Sequence, residues 1–253
     1  MKTMSAHSDA VPEARIQGRL MVDAPTRAFH WLLALCFVGA YVTSESERWR
    51  LIHITLGYTA LGLVAFRLLW SLIGPRPVRW QTWRSRVQAA ARQLRDWRWN
   101  GPKWSTKLVA MNTVAILALI LGVTMVVATG VALDQEWWGD ALEEVHEVLG
   151  NSLLLVVFTH VGLVLLSSWV KAGLPWQAMV TGRVSGPGPN LVSAPRRWLA
   201  LVLFAAVVGF WYQQWQSAPQ ASRNPDGPSM SQNVGEAGGH DARHDDDDGQ
   251  DDD

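Results

Sequence analysis

The sequence predicts an all-α integral membrane protein, a helical bundle with five membrane-crossing segments. Three observations lead there. Hydrophobic residues make up 49% of the 253 and charged residues 17%, below the roughly 25% charged of an average soluble domain. The apolar residues gather into five long runs, so the mean hydropathy of +0.05 averages very apolar stretches with very polar tails. Tryptophan is abundant, 15 against 3 tyrosines, and sits mostly near the ends of those runs, where indole rings favour the membrane interface.

The elements follow in order. Residues 1–25 are polar, so a cytoplasmic N-terminal segment with no cleavable signal peptide is expected, and the first helix must direct insertion. That helix reads from about Ala28 to Thr43, short against the roughly 20 residues a span needs unless it begins near Arg27. The second runs from about Leu51 to Ile73, the third from Leu108 to Leu133 and the fourth from Val145 to Val170. These four form a core over 26–185, and a fifth helix occupies 196–216, its apolar run spanning Trp198 to Trp215. Segment 75–106 interleaves Trp80, Trp83, Trp97 and Trp99 with arginines, which predicts an amphipathic helix on the membrane surface. Residues 217–253 carry almost no large apolar side chain and read as a disordered acidic tail, in which His240 and His244 stand among aspartates.

Basic residues set the expected orientation. Nine of them and a single acid fall between Arg76 and Lys107, whereas the next loop holds Asp134, Glu136, Asp140, Glu143 and Glu144 without a basic residue. A multi-pass protein of a bacterial inner membrane is expected, with its N-terminus cytoplasmic and its C-terminus periplasmic. The one cysteine, Cys36, excludes a disulfide framework and a metal site of several thiolates. The absence of C-x-x-C-H excludes a covalently attached haem. No nucleic-acid partner is expected.

Four of the seven histidines lie in the apolar runs: His30, His53, His146 and His160. A lone histidine there is often a packing or hydrogen-bonding residue, but four on three helices point to a functional interior. His146 and His160 are fourteen residues apart on one helix, so they share a face and are separated by about 21 Å along it. With the orientation above, His53 and His146 fall at the outer depth and His30 and His160 at the inner. Two imidazoles facing each other across a bundle suit the axial positions of a haem iron, whereas zinc wants a tetrahedral cluster at one depth. Two non-covalent, bis-histidine b haems are therefore the expected cofactors. Gly57 and Gly150 each follow a histidine by four residues and leave room for a flat macrocycle, although glycine is also common where membrane helices pack. Arg67 returns to the His53 face at the inner depth, where it meets a haem propionate or else snorkels to the interface.

The stretch from Asp23-Ala-Pro-Thr-Arg27-Ala-Phe-His30-Trp31, through His53-x3-Gly57-Tyr58, to Arg67-Leu-Leu-Trp70 and Gly74-Pro75 resembles the bacterial cytochrome b561 family. That family is similar to the cytochrome b subunits of nickel–iron hydrogenases. His146-Glu147, His160-Val-Gly162 and Ala178-Met-Val-Thr-Gly182-Arg183 resemble its fourth helix and following segment, so the likeness covers roughly residues 20–185. It implies a four-helix di-haem core that exchanges electrons with membrane quinone.

The expected function is thus a di-haem b-type membrane cytochrome carrying electrons between the quinone pool and a periplasmic or membrane partner protein. A basic c-type cytochrome, drawn by the acidic outer surface, or a hydrogenase subunit fits that description. The alternative is a stand-alone membrane oxidoreductase acting on a small oxidant such as superoxide. A haem-free metal transporter fits poorly, because the helices hold no carboxylate cluster apart from Glu143, Glu144 and Glu147.

Overall fold

A computed structural model describes residues 18–96, 104–137, 139, 141–170, 176–186 and 188–217. The expectations for residues 1–17, for the acidic tail with His240 and His244, and for Trp97 and Trp99 lie outside these residues.

Helix α1 spans Ala24–Thr43 and starts earlier than its apolar run. The reason is local. Asp23 caps the helix, its carboxylate accepting from the Thr26 amide at 3.3 Å, and Pro25 sits in the first turn, where its fixed φ is already helical. The four extra residues bring the helix to 20, enough to cross. Helix α2, Arg50–Ile73, stops at Gly74-Pro75, since Pro75 disfavours a helical conformation for the residue before it. Then come α3, Trp80–Arg95; α4, Trp104–Asp134; α5, Ala141–Trp169; the short α6, Gln177–Thr181; and α7, Arg197–Ser217. Five of them, α1, α2, α4, α5 and α7, are long and apolar enough to cross a membrane.

Packing follows the chain: α1 lies against α2 and α7, α2 against α4, and α4 against α5. Ala60, Val123, Val127 and Leu153 join α2, α4 and α5 in one cluster, and Cys36, Leu63 and Val207 join α1, α2 and α7 in another. Helix α7 is tied to the core by Trp211, whose Nε1 donates to Thr59 Oγ1 at 2.8 Å. Helix α3 packs on α4 with Ala90 buried, while Arg84, Arg86, Arg92 and Arg95 are exposed.

Two features depart from the sequence reading. Trp31, Trp49, Trp104, Trp137, Trp169, Trp198 and Trp215 are exposed as expected for interfacial rings, but Trp70 is buried. Its Nε1 donates to Asp23 Oδ2 at 3.2 Å, because a buried indole N–H needs an acceptor and the capping carboxylate has a second oxygen to offer. The other feature is a strap before α1. Strand β1, Arg19–Leu20, pairs antiparallel with β2, Arg183–Val184, and the amides of Met21 and Val22 donate to the Gly182 carbonyl. Gly182 takes φ +78°, a conformation that glycine adopts at little cost. Trp31 Nε1 and Arg27 Nη1 donate to the carbonyls of Met179 and Val180, so α6 is held against the start of α1.

Candidate functional site

His53, on the first turn of α2, and His146, on α5, stand with ring centroids 6.2 Å apart and planes inclined by 78°. Each ring is fixed through Nδ1. His53 Nδ1 lies 2.8 Å from the Ala40 carbonyl oxygen at the end of α1. That oxygen only accepts, so Nδ1 carries the hydrogen. His146 Nδ1 lies 2.9 Å from Thr129 Oγ1 on α4. The Thr129 hydroxyl hydrogen is directed to the carbonyls of Met125 and Val126, each at 3.0 Å, so its oxygen accepts from His146. Both rings are left with Nε2 as the lone-pair nitrogen.

A cleft between α1, α2, α4 and α5 opens at these two rings and holds, with its mouth, about 680 Å³ of space. Its walls are apolar, including Leu33, Phe37, Val127 and Leu153, with His53, His146, Tyr58 and Asp134 as the polar exceptions. Tyr58 Oη donates to Asp134 Oδ2 at 2.6 Å, and Gln135 Nε2 donates to Tyr58 Oη at 3.2 Å. Around the alpha carbons of Gly57 and Gly150, a methyl group would meet nothing within 4 Å, whereas one at Gly130 would come 3.0 Å from His146 Cε1. The first two glycines border open space; Gly130 is where α4 makes way for the imidazole.

At the opposite end, where α1 begins and α5 finishes, His160 Nδ1 lies 3.0 Å from Asn112 Oδ1 on α4. The oxygen is an acceptor only, so His160 too has its lone pair on Nε2. Asn112 is 5% exposed. His30 is an electrostatic neighbour of His160, packs edge-on against Trp31 at 5.3 Å, and has a buried Nδ1 with no partner. Arg67 points a buried, unpartnered Nη1 into the same end. The nearby Asp23 carboxylate is already occupied by Thr26 and Trp70. Thr26 Oγ1, Arg27 Nε and Ser168 Oγ are also buried and unsatisfied there. Among the described residues, every such orphan belongs to this end of the chain's path through the bundle.

The structure thus brings His53 and His146 together, puts His30 and His160 at the same end of the bundle, and leaves open space at Gly57 and Gly150. Sequence reasoning missed Ala40, Asn112, Thr129 and Gly130. Of these only Asn112 carried a signal, as an amide inside an otherwise apolar membrane helix. No group of three or more His, Cys, Asp and Glu side chains is arranged to hold a metal ion among the described residues.

Comparison with known proteins decides the family. The model of the prokaryotic cytochrome b561 family matches residues 21–182. The chain belongs to that family. Neither a curated protein nor a solved structure matches the chain. Membership in the cytochrome b561 family implies a di-haem, membrane-embedded electron-transfer cytochrome with a four-helix core, and cytochromes of this family typically bind two b haems. The matched residues run from α1 through α6, so the four core helices fall inside the cytochrome b561 match and α7 lies beyond it.

Proposed function

We propose that His53 and His146 are the axial ligands of one b haem and His30 and His160 those of the other. The observation that carries this reading is the 6.2 Å separation of the His53 and His146 rings, each held through Nδ1. With a metal–imidazole bond of about 2 Å, two rings at this separation would be able to hold one metal ion between them. An acceptor on Nδ1 is also what fixes the tautomer of a metal-bound histidine, and His160 has one in Asn112. Gly57, which lines the cleft, and Gly150 leave open space beside their alpha carbons, as a macrocycle needs, and the unpartnered Arg67 Nη1 is suited to a propionate.

Bound in these sites, haem supplies one-electron redox chemistry within the hydrocarbon depth. The chain's own residues do the rest. The apolar walls of the cleft exclude water, the Nδ1 acceptors of His53, His146 and His160 fix the tautomer and orientation of those rings, and Arg67 balances negative charge. The run of basic residues between α2 and α4 supports a cytoplasmic N-terminus, with the His53–His146 pair toward the outer face. In that frame the protein carries electrons between the quinone pool, as substrate, and a periplasmic or membrane partner. The exposed Glu136, Glu143 and Glu144 at the outer face favour a basic partner such as a c-type cytochrome; a hydrogenase subunit is the other candidate. A pyridine haemochrome assay on purified protein tests the cofactor content: two haems b per chain are expected, and a single haem under full haem supply would refute the double pairing.

A further inference from the structure

A polar cleft at the strap carries an inference independent of the haem assignment. It is lined by Gly18, Arg19, Arg183, Gly188, Pro189 and Asn190. Two guanidinium residues border one cleft, and no carboxylate among the described residues lines it. Arg19 Nε is buried without a hydrogen-bond partner. Arg183 donates from Nη1 to the Gly18 carbonyl at 2.8 Å, which fixes its side chain across the strap with one of its five donors. Asn190 Oδ1 accepts from the Leu20 amide at 2.7 Å, so the amide group turned the other way is a donor.

The cleft has a built wall. Gly188 takes φ +134°, and a methyl group there would come 2.8 Å from Arg19 Nη1. Only glycine both adopts that backbone and lets the guanidinium lie against the loop. A concavity furnished with forked donors and no acceptor of opposite charge suits an anion that can turn two of its oxygens to a guanidinium fork, and the two non-bridging oxygens of a phosphodiester do so. Its depth selects the source. Exposed Leu191 adjoins Asn190, and exposed Trp176 and Trp198 stand at the same end, next to α6 and on the first turn of α7. Exposed indoles at helix ends mark the headgroup level, where phosphates belong to lipids.

We propose that the cleft between Arg19, Arg183 and Asn190 binds the phosphate of an anionic phospholipid headgroup. The binding is non-covalent, and the strap that closes over the start of α1 is the element it steadies. The test titrates the full-length holoprotein in detergent with dioctanoyl phosphatidylglycerol, read by native mass spectrometry, with inorganic phosphate as competitor. Arg19→Gln should weaken lipid binding about tenfold or more, the scale of a lost charge-assisted contact. Gly188→Ala, which keeps every charge but crowds Arg19, should weaken it comparably. Arg86→Gln, on the exposed face of α3, should bind as the parent does. Should Arg19→Gln fail to fold, Arg19→Lys decides the matter, since it keeps the charge but loses the fork and is expected to bind several-fold more weakly. Parent-like affinity in the Arg19 variants would overturn the proposal, as would an equal loss in Arg86→Gln, which would mean diffuse charge attraction. Displacement of the lipid by inorganic phosphate at matched concentration would overturn the lipid assignment in favour of a free-anion site.

Discussion

Asn112 Oδ1 lies 3.0 Å from His160 Nδ1, and because an amide oxygen has no hydrogen to give, the asparagine dictates which imidazole nitrogen keeps its lone pair. Thr129 does the same for His146 on the same pair of helices. Helix α4 is thus a backing rail for α5: one helix carries two of the histidines and its neighbour carries the acceptors that orient them. This is the packing reason for Asn112 and Thr129 on a helix whose span is mostly apolar.

Replacing Asn112 by Leu removes the acceptor without adding a competing charge. A histidine that loses its Nδ1 acceptor is a weaker donor to a metal, and losing such a partner costs about 10- to 100-fold in metal affinity. The midpoint potential of one haem should rise, because the ferric state gains most from a basic ligand, and that haem should be lost more readily on dilution. Potentiometric titration followed by absorbance would show one component moving and the other fixed; two unmoved components would contradict the role given to Asn112.

Gly130→Ala acts on the other pair. Its methyl group would come 3.0 Å from His146 Cε1, so the ring must move by a few tenths of an ångström. A changed low-temperature EPR signal from one ferric haem, at unchanged haem content, is the expected result. Identical spectra for parent and variant would show that the ring is not held where α4 makes way for it.

Arg67→Gln tests the propionate reading. Taking a buried positive charge away from the end that holds His30 and His160 makes the oxidised iron easier to form, so the potential of that haem should fall while its partner's stays. Arg67→Lys should recover part of the shift, since it restores charge without the fork. A fall of equal size in both haems would place Arg67 near neither propionate.

The bundle was legible because its signals are one-dimensional: apolar length, the run of arginines between α2 and α4, and the fourteen-residue interval from His146 to His160. The proximity of His53 to His146 followed from depth alone. What stayed hidden depends on how neighbouring helices are rotated and registered against each other. Nothing in the sequence says that Thr129 and Gly130 face His146, or that the Ala40 carbonyl meets His53, since these are contacts between helices. The burial of Trp70 is hidden for the same reason, its acceptor lying 47 residues away at Asp23. The strap was missed because its strands are two residues long and carry no periodicity.

The central claim, that the four histidines form two pairs, is tested most directly by single substitutions read in a redox-resolved absorption spectrum. His53→Ala and His146→Ala should each eliminate the same haem component, and His30→Ala and His160→Ala should each eliminate the other, because each change removes one axial ligand from one iron. Loss of the same component from His146→Ala and His30→Ala, with the other intact in both, would contradict the account.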